Sequence, residues 1–202
     1  MNKKELQIAL SKLKTPTRIK RRLEQYFTPC DVASDVAWTI ALTEGIEDKV
    51  VADFGSGVGT LGIAMALLGA KKVYLIEKDP DLYEYLKANV AMFSLRNVEI
   101  VMDDVFNFHK TVDLVVQNPP FGIEHPNKTI DIAFIKHGLD LAEVVYSIHH
   151  LGKATEKKFS KYLKDHRIER IKVYDFMVKR VLPTHKKPVH RFKVALYRIT
   201  RS

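Results

Sequence analysis

Strand-like and helix-like patterns of hydrophobic residues alternate along the middle of the chain. Four short apolar runs are typical of buried strands, at 49–54, 71–77, 98–102 and 112–117. Three stretches with apolar residues at helical spacing separate or follow these runs, at 60–69, 80–93 and 130–145. Because strands that alternate with helices usually pair in parallel, this pattern predicts an open, mostly parallel sheet with helices on both faces.

The chain before this region has only the spacing of helices. Residues 5–14 have leucines at helical spacing, and we expect this helix to end before Pro16, since proline disfavours helix in the residue that precedes it. A second helix is predicted over 31–43, with Asp31 as its N-cap. Residues 1–30 are therefore expected to form a basic, partly helical extension that precedes the sheet.

The chain after this region ends in two long strands. A strand is expected over 144–150 and a charged helix over 154–165. Two long runs of β-type residues follow at 168–182 and 189–200, and the short link between them predicts an antiparallel hairpin. The sequence therefore predicts one α/β domain over 1–202, with a mostly parallel seven-stranded sheet that ends in this hairpin.

The composition is that of a soluble globular protein. Of the 202 residues, 46% are hydrophobic and 28% are charged, which is typical of a folded domain. No window has the roughly 18 apolar residues of a membrane span, and the N-terminus has no apolar run that ends in a cleavage site. Cys30 is the single cysteine, so no internal disulfide can form, and we expect a reducing, cytoplasmic location.

Positive charge is concentrated at the two ends of the chain. The formal net charge is +9 and the pI is about 9.5. Residues 1–22 contain eight lysines and arginines with Glu5 as the single acid, and eight more follow Asp175 with no acid among them. Two basic ends predict a polyanionic partner, most simply a nucleic acid. A basic surface without such a partner is the alternative.

A glycine-rich loop, DFGSGVGTLG (53–62), follows the first predicted strand and opens a helix. Its last three glycines fit the dinucleotide pattern G-x-G-x-x-G, and Glu77 lies 20 residues after Gly57, where a ribose-binding acid belongs. A nicotinamide cofactor is therefore one interpretation, and a strand–helix turn without a ligand is another. Counted from Asp53, the loop resembles motif I of the S-adenosylmethionine-dependent methyltransferases, in which a nearby acid suits the cofactor's ammonium group.

The fourth strand-like run ends in a polar residue and two prolines, LVVQNPPFG (114–122). These residues would suit methyl transfer to the exocyclic amine of adenine. This amine is a poor nucleophile because its lone pair is delocalised into the ring. Two acceptors for its N–H groups would make it more like a tetrahedral amine, and the Asn118 side-chain oxygen and Pro119 carbonyl could serve. Pro119 and Pro120 restrict φ and so direct that carbonyl, while Phe121 offers a ring on which an extruded base could stack.

Residues 118–121 resemble the Asn-Pro-Pro-Phe signature of the adenine-N6 and related amino methyltransferases. Longer stretches, from LEQYFTP (23–29) to LPTHKKPVHRFKVALYRI (182–199), are similar to the archaeal and eukaryotic methyltransferase-like-five family. This resemblance implies the Rossmann-like class I methyltransferase fold, the cofactor S-adenosylmethionine, and formation of N6-methyladenosine in small-subunit ribosomal RNA. It also implies a small zinc-binding activator subunit, which in the eukaryotic enzymes pairs along the sheet edge.

The resemblance further implies which residues hold the cofactor. They lie in four segments of the chain: Gln25, Thr28, Asp53, Gly55, Ser56, Gly57, Val58, Gly59, Thr60, Glu77, Asp104 and Val105. Asp103 competes with Asp104 for the contact with the cofactor's adenine. The chain departs from eukaryotic members at Ser56 and Val58, where cysteine is common, and at Glu77, where aspartate is common. Each change keeps the chemistry that cofactor binding needs.

Other features leave the substrate open and predict no metal site. Adenine in DNA or a glutamine amide in a protein could use the same pocket chemistry, and a non-catalytic RNA-binding protein could keep the fold. The intact motif at 118–121 argues against the last of these. His149 and His150 are adjacent on a predicted strand and therefore point to opposite faces, which does not suit one metal ion. Residues 123–130 are expected to cover the pocket.

Overall fold

The computed structural model describes residues 1–17, 20, 23–122, 127–179 and 189–202, and only the backbone of residues 178, 179, 189 and 190. Its described strands all belong to one sheet. In chain order they are β1 (Val50–Phe54), β2 (Lys72–Glu77), β3 (Val98–Met102), β4 (Leu114–Gln117), β5 (Val144–His150), β6 (His166–Lys179) and β7 (Val189–Arg201).

The sheet reverses its strand order between β1 and β4. Its spatial order is β3-β2-β1-β4-β5-β7-β6. Strands β1 to β5 pair in parallel, and β7 is antiparallel to both β5 and β6, so the predicted sheet and its C-terminal hairpin are confirmed. Phe54 and Gln117, the last residues of β1 and β4, are register partners. The glycine loop and the 118–121 motif therefore leave the sheet side by side, where open α/β sheets bind ligands.

Helices cover both faces of the sheet. They are α1 (Lys3–Leu10), α2 (Cys30–Glu44), α3 (Thr60–Leu67), α4 (Tyr83–Met92), α5 (Ile130–Leu141) and α6 (Lys153–Tyr162), with short 3₁₀ helices at Pro80–Leu82 and Val105–Asn107. Buried residues of α1 to α4 share one hydrophobic cluster with one sheet face, and those of α5 and α6 share a second cluster with the other. Side chains alternate along β1, so Val51 joins the first cluster while Ala52 and Phe54 join the second.

The first helix ends earlier than the leucine spacing predicted. It starts at a capping box, in which the side chains of Asn2 and Glu5 each accept a hydrogen bond from the other's backbone N–H, both at 2.9 Å. It ends at Leu10 because Asn89 of α4 draws the following chain away. The Asn89 amide oxygen accepts from the Lys14 N–H at 2.8 Å, and its Nδ2 donates to the Lys14 carbonyl at 3.0 Å.

The other predicted elements are present with small shifts at their ends. Helix α2 begins at Cys30, so Asp31 lies in its first turn and the prediction that it is the N-cap was wrong. Helix α5 stops at Leu141 rather than 145, because Ala142 is already extended and β5 begins two residues later. Strand β6 begins at His166, two residues before its predicted start. Residues 180–188, which contain the end of the run predicted at 168–182 and the hairpin link, lie outside the described residues. No helix in the described part of the chain has the length and apolar character needed to cross a bilayer.

Helix α3 approaches the sheet closely at Gly62. A Cβ at this position would lie 2.2 Å from Leu75 Cδ2 and 3.0 Å from Asp53 Cβ. At the same place the Gly62 N–H donates to Asp53 Oδ2 at 2.7 Å. This close approach holds the first turn of α3, and with it the glycine loop, against the end of β1.

We expect Gly62→Ala to destabilise the fold by about 1–3 kcal/mol, because the added methyl group overpacks the space between α3 and β2. Urea unfolding of the variant and the wild type measures this difference. Ser160→Ala, on the exposed face of α6, is the control and should change stability by less than about 0.5 kcal/mol. A Gly62→Ala protein as stable as the wild type would show that α3 can move off the sheet freely.

Candidate active site

A cavity lies at the carboxyl ends of β1, β2 and β4. The cavity opens to solvent, and about 840 Å³ of space lies within it and its open mouth together. Its walls are the glycine loop, the strand ends and the segment before α2: Leu23, Glu24, Gln25, Tyr26, Phe27, Thr28, Asp53, Gly55, Ser56, Gly57, Thr60, Leu61, Glu77, Lys78, Asp104, Val105, Asn118, Pro120 and Phe134. Residues from six separate parts of the sequence therefore meet at the reversal of strand order.

Most of the predicted site residues line this cavity. The exceptions are Val58, Gly59, Pro119 and Phe121. Val58 is fully buried beneath the glycine loop, and its carbonyl accepts from Asn89 Nδ2 at 3.0 Å. Phe121 is 7% exposed, and its ring packs edge to face against His150 with 4.5 Å between centroids. The side chains of Val58 and Phe121, which the motifs predicted to contact ligands, thus pack in the protein interior.

The glycine loop has a left-handed backbone at three positions. Gly55, Gly57 and Gly59 have φ values of 66°, 60° and 87°, a region that side chains with a Cβ rarely adopt. At Gly57 a Cβ would also lie 3.1 Å from the Phe27 ring. The Gly57 N–H donates to Glu77 Oε2 at 2.8 Å, which ties the loop to the end of β2. The absence of side chains at Gly55 and Gly57 therefore leaves room along this wall of the cavity.

Two buried carboxyl groups, Asp53 and Glu77, lie at the base of the cavity. Burial raises the pKa of Asp53 to about 7; the Gly62 N–H opposes this shift and the nearby Glu77 adds to it. Burial also raises the pKa of Glu77, although the backbone N–H groups of Asp79 and Gly57 donate to it, each at 2.8 Å. Ionisation of both groups is thus disfavoured without a nearby cation, as is common at functional sites.

Asp104 and Asp103, which the sequence could not separate, have different surroundings. Asp104 lines the cavity and caps the short 3₁₀ helix by accepting from the Phe106 N–H at 3.2 Å. Asp103 points to the surface, where it accepts from Asn107 Nδ2 at 2.8 Å. The side-chain bond from Asn107 lowers the pKa of Asp103. The geometry therefore favours Asp104 as the residue available to a ligand.

The segment 23–28 forms a cover over the cavity and is anchored beside β2. Gln25 Nε2 donates to Asp79 Oδ2 at 2.6 Å, and Lys20 Nζ donates to Asp79 Oδ1. Burial acts to raise the pKa of Asp79, but the hydrogen bonds from Lys20 and Gln25 outweigh it and hold the pKa below its usual value. Asp79 therefore stays ionised and fixes one end of the cover.

Asn118 ties the other side of the cover to the end of β4. Its Nδ2 donates to the Tyr26 carbonyl at 3.0 Å and to Thr28 Oγ1 at 3.2 Å. Because a carbonyl can only accept, the amide nitrogen must face Tyr26 and the amide oxygen must face the other way. Asn118 Oδ1 is buried and has no hydrogen-bond partner among the residues that the structure describes. A residue of the cavity wall thus carries a buried acceptor without a partner among the described residues.

Seven lining residues were not predicted from the sequence: Leu23, Glu24, Tyr26, Phe27, Leu61, Lys78 and Phe134. Tyr26 and Phe27 stand between Gln25 and Thr28, so the LEQYFTP stretch contained a signal for them. No sequence signal pointed to Phe134, because in the sequence it is one of several apolar positions of α5. It reaches the cavity only through the packing of that helix. Its ring lies 3.5 Å from the position of a Cβ on Gly55.

Replacement of Asp53 should change how stability depends on pH. In the unfolded chain an aspartate has a pKa of about 3.9, so between that value and about 7 the folded protein binds the extra proton at Asp53. The free energy of unfolding contributed by this group therefore falls as the pH rises through that window. We expect Asp53→Asn to be more stable relative to the wild type at pH 8 than at pH 5.

Urea unfolding at pH 5, 6, 7 and 8 measures this difference. Asp48→Asn, at an exposed position before β1, is the matched control and should show no comparable trend. If Asp53→Asn differed from the wild type by the same amount at every pH, the buried carboxyl would not be the source of the pH dependence.

Comparison with known proteins identifies relatives of the whole domain. The family model for the methyltransferase small domain matches residues 28–143. The rRNA N(6)-adenosine-methyltransferase METTL5 of Danio rerio is 36% identical over 155 residues, 74% of this chain and 74% of the relative. The Drosophila melanogaster Mettl5 protein of the same name is 40% identical over 134 residues, 63% of this chain and 62% of the relative.

A solved structure extends the likeness to the complete fold. The crystal structure of PH1948 from Pyrococcus horikoshii superimposes with a TM-score of 0.87, with 35% sequence identity, over 100% of this chain and 97% of that chain. The Rossmann-like fold with an antiparallel C-terminal hairpin is thereby confirmed. Since the family model covers more than half of the chain and the zebrafish relative is matched over three quarters of it, the chain belongs to the methyltransferase small domain family.

Proposed function

We propose that the protein is an S-adenosylmethionine-dependent RNA methyltransferase that forms N6-methyladenosine in small-subunit ribosomal RNA. The observation that carries the proposal is the buried Asn118 Oδ1, an acceptor without a partner among the described residues, in the wall of a cavity built on a glycine loop. An amine that brings N–H groups to this oxygen satisfies it.

The chain's own acceptors would prepare the target amine. S-adenosylmethionine, when bound, supplies an electrophilic methyl group on a positively charged sulfur. Asn118 Oδ1 and the Pro119 carbonyl would accept from the two N–H groups of adenine N6, which returns lone-pair density to the nitrogen. These acceptors would hold the amine nitrogen towards that methyl group, and the amine would lose its proton to solvent on methylation. Pro119 and Pro120 contribute no N–H that would compete for these acceptors.

The residues around the cavity fit the proposed cofactor. Glycines without a Cβ at Gly55 and Gly57 leave room along the loop, and the ring of Phe134 closes the space opposite Gly55. Asp53 would attract the cofactor's ammonium group, Glu77 would accept from its ribose hydroxyls, and Asp104 would accept from its adenine amine. Gln25 and Thr28, in the cover, would complete the cofactor's surroundings with Ser56, Thr60 and Val105.

The names of two relatives and the positive net charge of this chain favour RNA as the substrate. Two relatives from animals are named as rRNA N(6)-adenosine-methyltransferases, and the chain carries a net charge of +9 with basic ends. Basic side chains would contact phosphates and position the RNA without reading its sequence. The target base must leave its stack to reach a cavity, so a looped or single-stranded site is expected.

Two further expectations belong to this proposal. The protein would act in the cytoplasm, where ribosomal RNA and S-adenosylmethionine are both accessible to it. A small zinc-binding activator would pair with an edge of the sheet, and β3 and β6 are the strands at the two edges. An unpaired edge strand is a natural docking site for another strand.

Asn118→Ala should abolish methyl transfer while cofactor binding persists. The variant loses the acceptor for the amine, and we expect kcat to fall by at least about 100-fold, the size of effect seen when one transition-state partner is removed. Transfer of labelled methyl groups to ribosomal RNA gives the rate, and calorimetry gives the cofactor affinity. Asn97→Ala, near the start of β3 and at the opposite end of the sheet, is the control and should retain the wild-type rate.

Alternative substrates are tested in the same assay. Labelled-methyl transfer to DNA or to protein, with none to RNA, would replace the RNA proposal by the matching activity. An Asn118→Ala protein that methylates RNA at the wild-type rate would show that this amide is not the acceptor for the amine.

Cofactor affinity should weaken as the pH falls below the pKa of Asp53, which is about 7. Protonation removes the charge that attracts the ammonium group, and the affinity should fall by at most about tenfold per pH unit. Calorimetry with S-adenosylhomocysteine, which has the same ammonium group, measures this at pH 6, 7 and 8. Asp53→Asn should bind more weakly and with little pH dependence. An unchanged pH dependence in Asp53→Asn would assign the effect to another group.

A further inference from the structure

We propose that Glu24 and Lys158 are positioning residues that hold residues 118–122, the target-binding loop of the proposed reaction, and so direct the acceptor oxygens of Asn118 and Pro119. The inference rests on the proposed function, because it assigns a role in that reaction to two further residues. Glu24 stands in the LEQYFTP stretch, but that stretch gave it no role, and Lys158 lies outside the quoted motifs. Glu24 belongs to the cover and Lys158 to α6, so two elements far apart in sequence contact the loop.

Glu24 anchors the loop through its backbone N–H groups. Its Oε2 accepts from the Phe121 N–H at 2.6 Å and from the Gly122 N–H at 3.1 Å. Because Pro119 and Pro120 have no N–H, these are the first two backbone donors after Asn118, and both donate to one carboxylate. Glu24 is only 7% exposed, so these charged hydrogen bonds lie largely away from water, where they are strong.

Lys158 holds the same peptide segment by its carbonyl. Its Nζ donates to the Phe121 carbonyl at 3.1 Å and to both Asp131 oxygens at 3.0 and 2.9 Å. Burial acts to raise the pKa of Asp131, but His149 and Lys158 outweigh it and keep the pKa below its usual value. Asp131, with its side chain 3% exposed, therefore stays ionised and fixes the lysine. Phe121 thus has a charged group at its N–H and another at its carbonyl.

The position of Glu24 also links the loop to the cofactor side of the cavity. Its backbone has a φ of 48°, which is uncommon for a residue with a side chain. The next residues of the cover, Gln25 to Thr28, form cavity wall, and Asn118 Nδ2 bonds to Tyr26 and Thr28. Glu24 therefore fixes the distance between the cover and the loop on which the acceptor oxygens stand.

Glu24→Ala should lower kcat by about 10- to 100-fold, because a small displacement of a reacting group has effects of this size. Measured at saturating RNA and cofactor, this loss should leave the cofactor Kd within about threefold of the wild type. Glu24→Gln keeps an oxygen acceptor and should recover most of the rate. Glu84→Ala, at an exposed position of α4, is the matched control and should retain the full rate.

Hydrogen exchange of the amides in residues 118–122 tests whether Glu24 positions this loop or stabilises the whole fold. The Phe121 and Gly122 amides should exchange about tenfold faster or more in Glu24→Ala, while the amides of β1 and β4 stay protected as in the wild type. Equal acceleration at all these amides would mean that Glu24 supports only the fold. A loss of cofactor affinity as large as the loss of kcat would place its action on the cofactor instead of the loop.

Lys158 is tested with variants of the same helix. Lys158→Met should also lower kcat, but it leaves Asp131 buried without its cation, so Lys158→Arg is the second variant and should keep most of the rate and the stability. Lys157→Met, at the neighbouring exposed position, is the control. Since both residues act on one peptide, the double variant Glu24→Ala/Lys158→Met should lose less than the product of the single effects.

The outcomes distinguish the inference from the function it rests on. A wild-type protein that transfers no methyl group to RNA overturns the proposed function and the positioning role with it. A wild-type protein that is active, with Glu24→Ala equally fast, overturns the positioning role and leaves the function intact.

Discussion

The chemistry of the site depends on the hydrogen bonds that hold the Asn118 amide in one orientation. Its nitrogen donates to the Tyr26 carbonyl and the Thr28 hydroxyl, and its oxygen is left buried without a partner among the described residues. If the amide turned over, it would present donors to the N–H groups of the proposed target amine, and the Pro119 carbonyl alone would remain as an acceptor. In the proposed reaction the cover would therefore orient a catalytic group as well as form a wall of the cavity.

Several buried polar groups in the cavity favour ligand binding but lower the stability of the protein without a ligand. Asp53 and Glu77 are buried carboxyl groups whose pKa values are raised by burial. A cationic ligand would stabilise their ionised forms, so the fold without a ligand is less stable at neutral pH than it would be with neutral side chains there. The buried acceptor on Asn118 has the same character, since an unsatisfied polar atom destabilises the protein until a ligand supplies its partner.

Local patterns in the sequence were sufficient to predict the strands, the helices and the topology class. The strand–helix alternation and the two long C-terminal runs account for the sheet that the structure contains. The error at α1 has a tertiary cause: leucine spacing continues to Leu13, but Asn89 of another helix binds the Lys14 backbone and turns the chain away. Periodicity describes near neighbours along the chain and contains no information about a partner 75 residues distant.

The sequence by itself determined which chemical groups stand at the strand ends: the glycine loop, Glu77, Asp104 and the Asn-Pro-Pro-Phe motif, each recognisable by residue type and spacing. Only the tertiary structure decided which way those groups face. In the structure the Phe121 side chain is buried, and the Asn118 oxygen is buried without a partner among the described residues. Glu24 and Lys158 both hydrogen-bond to the backbone of Phe121. The physical reason is that orientation is set by hydrogen bonds and packing between segments far apart in sequence, and a linear pattern does not record them.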